Sequence, residues 1–587
     1  MNKAIEDILL QVNKPARYIG EEWNSSVKSF EEAGIRFAIC FADLYEIGMS
    51  NLGLRIIYGI LNNIPDVCCE RFFSCNQDLE SILRNKKLEI FSLESKKALR
   101  EFDLVGFSLA SELNYTNVLN ILDLGSIPLR ASLRNHHHPL VIGGGPCSLN
   151  PEPMSEFFDI FIIGEAEEAI GEVIDIYRKH KEEYKSTKIS KVELLNMLSE
   201  IKGVYAPSLY EVSYDSLGKI KDFKAKAGGI KKKVAKRIVQ DLDNSFFPLD
   251  WLVPYIQIVH DRVSLEVMRG CPNRCRFCQA RSQYFPFRQR DPDKLLDLAK
   301  ESQRRTGYEE IALTGLSVGD YSGIEKLLAQ LIDLFKEKAI GVSLPSLKAR
   351  AYVGHLSSLI ASIRKTGLTF APEAGSVRLR EILCKDFSEE VFFQALEKSY
   401  QSGYRHIKLY FMIGLPWEEY ADLDAIIDFS LRSSDLKREI DRTPAQINIS
   451  INPLVPRPHT PLQWFSMESV NNLKLKEDYL RSKISRKRLK LSFHDPRMSF
   501  LEGVLSRGDR RLSEVILCAF NSGARFDAWD DHFSFDKWLL AFKESGLDPE
   551  FYLKEKTREE VLPWDFIDIG IDKEVLIEEF NKTIAMQ

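Results

Sequence analysis

No stretch of this sequence comes near the roughly 20 consecutive apolar residues that cross a bilayer. The N-terminus, Met1 to Gly20, mixes charges and lacks the apolar core of a signal peptide. The expectation is a cytoplasmic protein with no membrane partner. A large excess of one charge sign is missing too: the formal net charge is −5 over 587 residues, which excludes a generic polyanion binder. Cysteine is sparse, ten in all, without the dense regular spacing of a disulfide scaffold, so reduced thiols are expected. Low-complexity tracts and internal repeats are absent. What remains, 44% hydrophobic and 28% charged, is the balance of an ordinary globular protein. Its length suits roughly two to four domains.

The first half alternates apolar, β-rich runs with helical stretches. Strands are expected at Arg36–Phe41, Val67–Phe73, Leu104–Ser108, Leu140–Ile142 and Ile160–Ile163. Helices are expected at Leu52–Leu61, Asn117–Leu124 and Glu167–Arg178. This order predicts a parallel, doubly wound sheet, whose ligands bind at the carboxyl ends of the strands. Those ends carry Asp43-Leu-Tyr45-Glu-Ile-Gly48, then Ser108-Leu109, then Gly143-Gly144-Gly145-Pro146. Small residues there let a flat ligand approach the backbone.

Residues 181–257 read as a linker with short strands and a basic run from Lys224 to Arg237. A solvated hairpin face and a phosphate-binding face are both open readings of that run, the first being the commoner.

From 258 the pattern becomes regular again. Six strands with helices between them run from Arg262–Met268 to Gln446–Ile451, predicting a partial (β/α)6 barrel over 258–469. Straight after its first strand stands Cys271-Pro-Asn-Arg-Cys275-Arg-Phe277-Cys278. Thiolates are soft ligands, and three so close together suit an iron–sulfur cluster or zinc. Structural zinc is normally closed by four ligands, whereas three cysteines on a cubane leave one iron open. The segment Pro456-Arg-Pro-His459-Thr-Pro461 is stiffened across the barrel mouth by its prolines. His459 reads equally as a proton donor or substrate contact, or as a ring fixed by backbone groups. Residues 470–587 read as mostly helical. They contain a basic run, Arg481 to Lys490, taken as a solvated helix face or an RNA contact. Arg507–Arg511 and Phe526–His532 read either as a substrate entrance or as helix caps with a packed tryptophan.

The C-x3-C-x2-C spacing with Phe277 before the last cysteine is similar to the signature of radical S-adenosylmethionine (SAM) enzymes. The order of an N-terminal Rossmann-like domain (1–180), the cysteine barrel, TFAPEAGS, FMIGLP, PRPHTPLQW and FHDPRMSFLEGVLSRGDRRL resembles the cobalamin-binding-domain radical SAM proteins. The resemblance implies one 4Fe–4S cluster on Cys271, Cys275 and Cys278. It implies SAM contacts at Phe277, Thr314, Gly315, Glu373, Ser376 and Gly414. It further implies cobalamin beside Asp43, Tyr45, Gly48, Ser108, Gly144 and Gly145. Tyr45 stands where such domains carry a histidine ligand, so base-off cobalamin without an imidazole on the metal is implied. After the third barrel strand the nearest arginine is Arg350, further from Pro345 than the family pattern brings it.

The activity implied is reductive cleavage of SAM to a 5′-deoxyadenosyl radical, with methyl transfer through cobalamin to an unactivated carbon. Radical rearrangement stands as an alternative, as does methylthiotransferase-like sulfur insertion with a second cluster on Cys40, Cys75 and Cys147. A non-enzymatic cofactor or redox sensor is the remaining one. A one-electron reductant such as flavodoxin or ferredoxin is the implied partner. RNA is an open candidate for substrate, and relatives with a further C-terminal domain suggest a separately encoded counterpart of it.

Overall fold

The computed structural model describes residues 3–344, 368–484 and 488–587. The expected helix at 356–365, Arg350, and Arg486 and Lys487 of the second basic run lie outside the described residues.

Ile35–Phe41 (β1), Val67–Phe73 (β2), Leu104–Ser108 (β3), Leu140–Gly144 (β4) and Ile160–Ile162 (β5) pair in parallel in the order β2-β1-β3-β4-β5. Val204–Tyr205 (β6) ends the sheet antiparallel to β5. Nearly every residue of β1 and all of β2 are buried, because helices cover both faces. This is why these strands read as unbroken apolar runs. Leu52–Asn63 (α1) and Ala166–Lys185 (α3) pack together over one face, while Tyr115–Leu124 (α2) follows β3. Asn51 starts α1 by accepting a hydrogen bond from the Leu54 amide at 2.9 Å.

The barrel is built from two parallel sheets. Val263–Glu266 (β7), Glu310–Thr314 (β8) and Gly341–Ser343 (β9) form one. Leu368–Glu373 (β10), His406–Ile413 (β11), Gln446–Pro453 (β12) and Leu489–Phe493 (β13) form the other. Between them run the helices Pro292–Thr306 (α4), Ile324–Phe335 (α5), Glu389–Gln401 (α6) and Tyr420–Asp441 (α7). In α5 the buried residues Ile324, Leu327, Leu328, Leu331 and Phe335 recur at helical spacing and face the strands. In β11 and β12, Ile407, Leu409, Phe411, Ile447, Ile449 and Ile451 are buried in the same core. The alternating Tyr410, Met412 and Asn452 line the interior.

Among the described residues seven parallel strands stand where six were expected. The additional β13 pairs with β12 from Ile447–Leu489 to Ile451–Phe493. Lys490 therefore lies on a strand, not on a helix face, while Arg481 and Lys483 lie on the helix Val470–Lys483.

Beyond β13 come Pro496–Arg507 (α8), Leu512–Asn521 (α9), Phe535–Glu544 (α10) and Lys573–Ile584 (α11). α9 packs on α2, and Leu512, Val515, Ile516 and Trp538 belong to the N-terminal sheet's hydrophobic core. The two segments read as an entrance or as caps are seams between these parts. Trp529 Nε1 donates to Asp43 at 3.0 Å, and Asp527 accepts from Thr116 at 2.8 Å and Trp538 at 3.0 Å. Arg510 binds Glu152 at 2.8 Å.

In the linker, Tyr210–Tyr214 and Ile220–Ala225 form an antiparallel hairpin, and Val234–Ala235 pairs in parallel with Ile567–Asp568. Its basic run is dispersed rather than gathered on one face. Lys236 is buried, and Arg237 binds Glu168 and Glu172. Lys224 binds Asp222, and Lys226 and Lys231 donate to backbone carbonyls.

Candidate active site

The cysteine loop follows β7 at the carboxyl end of the barrel. It is entered through Met268–Arg269, which pairs antiparallel with Arg288–Gln289. Gly270 has φ +84°, and a Cβ there would stand 2.7 Å from the Tyr284 carbonyl oxygen and 2.9 Å from Phe287 Cα. Only glycine fits that passage.

Side chains from other parts of the chain hold the loop on three sides. Buried Arg269 binds Glu167 at 2.6 Å, Glu266 at 3.0 Å and Glu165 at 3.3 Å. Arg288 completes this network on Glu165 at 2.5 Å. Arg276, between the second and third cysteines, donates to the Ile382 carbonyl at 2.9 Å and binds Glu579 of α11 at 3.2 Å. Lys236 donates to the carbonyls of Ser282, Gln283 and Phe285 at 2.8, 3.0 and 2.9 Å, and burial pulls its ammonium down to about 8.

Cys271, Cys275 and Cys278 are each half-buried. Burial pushes the Cys275 thiol up to about 11, and the neighbouring thiols of Cys271 and Cys278 add to the rise while Lys385 opposes it. Burial also raises Cys278. Lys385 binds Glu373 at 3.1 Å, and Asn273 donates to Cys271 Sγ at 3.1 Å. Burial raises the Glu373 carboxyl against the pull of Lys385. Among the described residues no group of three or more histidine, cysteine or acidic side chains is closed up into a metal-holding arrangement. The donor set nevertheless fits an iron–sulfur cluster: three soft sulfurs lie on one loop within electrostatic range of each other, with a lysine to favour thiolate. Cys40 and Cys147 belong to the buried core of the N-terminal part, as does Cys75.

Two cavities flank this loop. The first, of about 460 Å³, lies between the N-terminal sheet and the barrel. Its floor is Ile39, Ile142 and Ile162 under α1 and α3, and its rim carries Ser108, Gly144 and Gly145. Arg269, Gly270, Thr314 and Gly315 form the opposite wall. A Cβ on Gly144 would meet nothing nearer than 3.8 Å, and the buried Thr314 hydroxyl has no hydrogen-bond partner among the described residues. An apolar slot leading to glycine turns, with an unsatisfied hydroxyl opposite, fits a large flat ring carrying a tail.

Three of the residues expected beside cobalamin do not reach this cavity. The Tyr45 hydroxyl donates to Glu22 at 2.8 Å within a buried network that includes Arg71. Asp43 is taken by Trp529, and a Cβ on Gly48 would strike the Phe73 ring at 2.2 Å. The chain turns into the short helix Tyr45–Gly48 directly after β1, which carries these side chains away from the rim.

The second cavity, of about 570 Å³, lies inside the barrel. Phe277, Cys278 and Glu373 line it, opposite His494, Ser499 and Glu502. Thr314 and Gly315, expected at SAM, line the first cavity instead. Ser376 caps the helix Val377–Ile382 and donates to Asp422 at 2.5 Å, and the Gly414 amide donates to Glu418 at 2.8 Å. Neither lines either of these two cavities, because both serve the turns that carry β10 and β11 into their helices. His494, Ser499 and Glu502 are the wall that sequence reasoning missed. The Ser499–Glu502 spacing of three on a helix was the available signal.

His459 is settled as a fixed ring. Its Nε2 pairs with the Leu149 carbonyl at 3.0 Å, and its amide donates to Gln463 at 2.9 Å. Burial pulls the imidazole down to about 4, so it stays neutral near pH 7.

An open parallel barrel with a three-cysteine loop at its carboxyl end, joined to a Rossmann-like sheet, defines the class. Residues 53–207 match the family model of radical SAM proteins, N-terminal, and residues 265–430 match that of the radical SAM superfamily. Together they cover more than half of the chain, which belongs to the radical SAM superfamily. An uncharacterised protein of Methanocaldococcus jannaschii is 28% identical over 511 residues, 87% of this chain and 97% of its own. Among solved structures, the radical SAM methyltransferase TsrM from Kitasatospora setae, with cobalamin and a [4Fe-4S] cluster bound, is similar at TM-score 0.48. It is 13% identical, over 73% of this chain and 77% of that one. The cobalamin-dependent SAM radical enzyme OxsB, with aqua-cobalamin and SAM bound, is similar at TM-score 0.46 and 12% identity, over 94% of this chain and 79% of that one. No helix among the described residues is long and apolar enough to cross a membrane.

Proposed function

We propose that this chain is an enzyme that binds one 4Fe–4S cluster on Cys271, Cys275 and Cys278, cleaves SAM reductively, and transfers a methyl group through cobalamin to an unactivated carbon. One juxtaposition carries the proposal. The cysteine loop stands between two cavities, with Gly270 in the wall of the one below the glycine turns and Cys278 in the wall of the one inside the barrel.

When bound, the cluster with SAM would supply one-electron bond cleavage, and cobalamin a methyl carrier. The chain's own residues position these groups and exclude water. Ser108, Gly144 and Gly145, in the domain of residues 1–180, would offer small surfaces to a corrin ring. The apolar floor under α1 and α3 would take the tail. Phe277 would present an apolar edge to adenine, and Glu373, held by Lys385, would accept from the SAM ammonium. The Arg269 network fixes the height of the cysteine loop over the first cavity. A flavodoxin- or ferredoxin-type protein would deliver the electron.

The test is product analysis of anaerobically reconstituted protein given SAM and a strong reductant. The expected outcome is 5′-deoxyadenosine together with S-adenosylhomocysteine, the second only when cobalamin is present. 5′-Deoxyadenosine without S-adenosylhomocysteine would reject methyl transfer. An intact cluster with no SAM cleavage would reject the enzyme itself.

A further inference from the structure

The second cavity is closed by residues from three parts of the chain. Arg457, in the proline-stiffened segment after β12, points its guanidinium between two carboxylates. It binds Glu112, which follows β3 in the N-terminal part, at 2.9 Å, and it also binds Glu502 of α8. These carboxylates hold the Arg457 guanidinium charged, well above its ordinary range, against the opposing effect of its burial.

The charge balance of this wall is uneven. Of the described residues lining the cavity, Glu373 and Glu502 are carboxylates and Arg457 is the guanidinium. Glu373 is matched from behind by Lys385, and Arg457 is shared between Glu502 and Glu112. Lys408, on the same face of β11 as Tyr410, stacks its ammonium on that ring at 4.7 Å and is not part of the cavity wall. An anionic substrate would therefore meet a guanidinium already occupied twice and would have to displace a carboxylate from it. A cation meets carboxylates whose charge exceeds that of their one shared partner, and desolvated negative charge is costly until it is matched. His494 and Ser499 stand beside Glu502 as further polar groups.

We propose that the substrate carries a cationic nitrogen, an amine or amidine, which Glu502 binds with His494 and Ser499 alongside, while the Glu112–Arg457 pair holds Glu502 in place. The inference rests on the reading of the barrel cavity as the site of SAM and substrate. It makes the region after β13 the part of the chain that selects the substrate. Glu373, beside the cysteines, serves SAM; Glu502, on the opposite wall, serves the substrate.

The experiment uses cluster-loaded protein saturated with SAM, with n-butylammonium and butyrate as probes and binding measured by saturation-transfer NMR. The expected result is binding of n-butylammonium and none of butyrate, with Glu502→Gln weakening the amine at least tenfold and SAM less than threefold. Glu112→Gln should also weaken the amine, because Arg457 is then matched one to one by Glu502 and the excess negative charge that favours a cation is gone. Binding of butyrate in preference to the amine would overturn the proposal. So would a Glu502→Gln protein that loses SAM but keeps the amine. If Glu502→Gln does not fold, a crystal of the wild-type protein soaked with n-butylammonium decides: nitrogen within hydrogen-bond distance of Glu502 supports the proposal, and nitrogen elsewhere overturns it. Because no turnover is read, failure of methyl transfer would show in the product analysis and not here.

Discussion

Nη1 of Arg269, two residues before the first cysteine, lies 2.6 Å from Oε1 of Glu167, at the start of α3. This contact ties the loop proposed to hold the cluster to the domain proposed to hold cobalamin. The whole Arg269 side chain is nearly inaccessible and faces three carboxylates, so its removal leaves buried negative charge without a partner.

Arg269→Met is accordingly expected to destabilise the protein by about 3–5 kcal/mol, the usual cost of breaking a buried pair from one side. Denaturant unfolding followed by tryptophan fluorescence measures it. A loss below about 1 kcal/mol, the range of surface pairs, would show that the network is not buried in solution.

Replacing Cys271, Cys275 or Cys278 singly by alanine is expected to reduce bound iron from about four per chain to near zero, since a cubane needs all three sulfurs here. Cys40→Ala and Cys147→Ala should leave the iron content unchanged, because both thiols are buried in the apolar core. Iron analysis of anaerobically purified protein gives the answer. Loss of iron in Cys40→Ala would revive the second cluster.

Gly144 and Tyr45 separate the two views of the cobalamin site. Gly144→Leu has room for its Cβ and would project into the cavity, so it should fold and lose cobalamin binding. Tyr45→Phe should bind cobalamin as wild type does and lose on the order of 1 kcal/mol of stability, the worth of one buried hydrogen bond. Cobalamin retained by size-exclusion and read by absorbance tests both.

His459 predicts an acid-side effect of definite sign. Its folded-state value, about 4, lies below the ordinary 6.5, so the unfolded chain binds the proton first as pH falls. Stability should therefore drop between about pH 6.5 and pH 4, by on the order of 3 kcal/mol for a shift of this size. Comparison of wild type with His459→Gln across that window isolates the term. Equal slopes in the two proteins would refute it.

Much of the fold was legible because its signals are local. The strands of the Rossmann-like sheet are apolar runs buried on both faces, and β2 and β3 stand at the residues those runs span. α5 follows its apolar spacing to within one residue of its end. The three cysteines were legible for the same reason: spacing within eight residues forces them onto one loop. β13 was not, since Leu489-Lys-Leu-Ser-Phe493 is short and begins in a basic run, and only pairing with β12 makes it a strand.

The sequence by itself determined the alternation of strands and helices, the thiol loop and its place at the end of a barrel strand. Only the tertiary structure decided what faces what. Tyr45 follows one strand of the N-terminal sheet and Gly144 ends another, yet one points into a buried ion network and the other borders the cavity. Arg457 meets Glu112 across 345 residues and Glu502 across 45. Contact between such distant residues depends on how the packed layers close on one another, and no local periodicity encodes that.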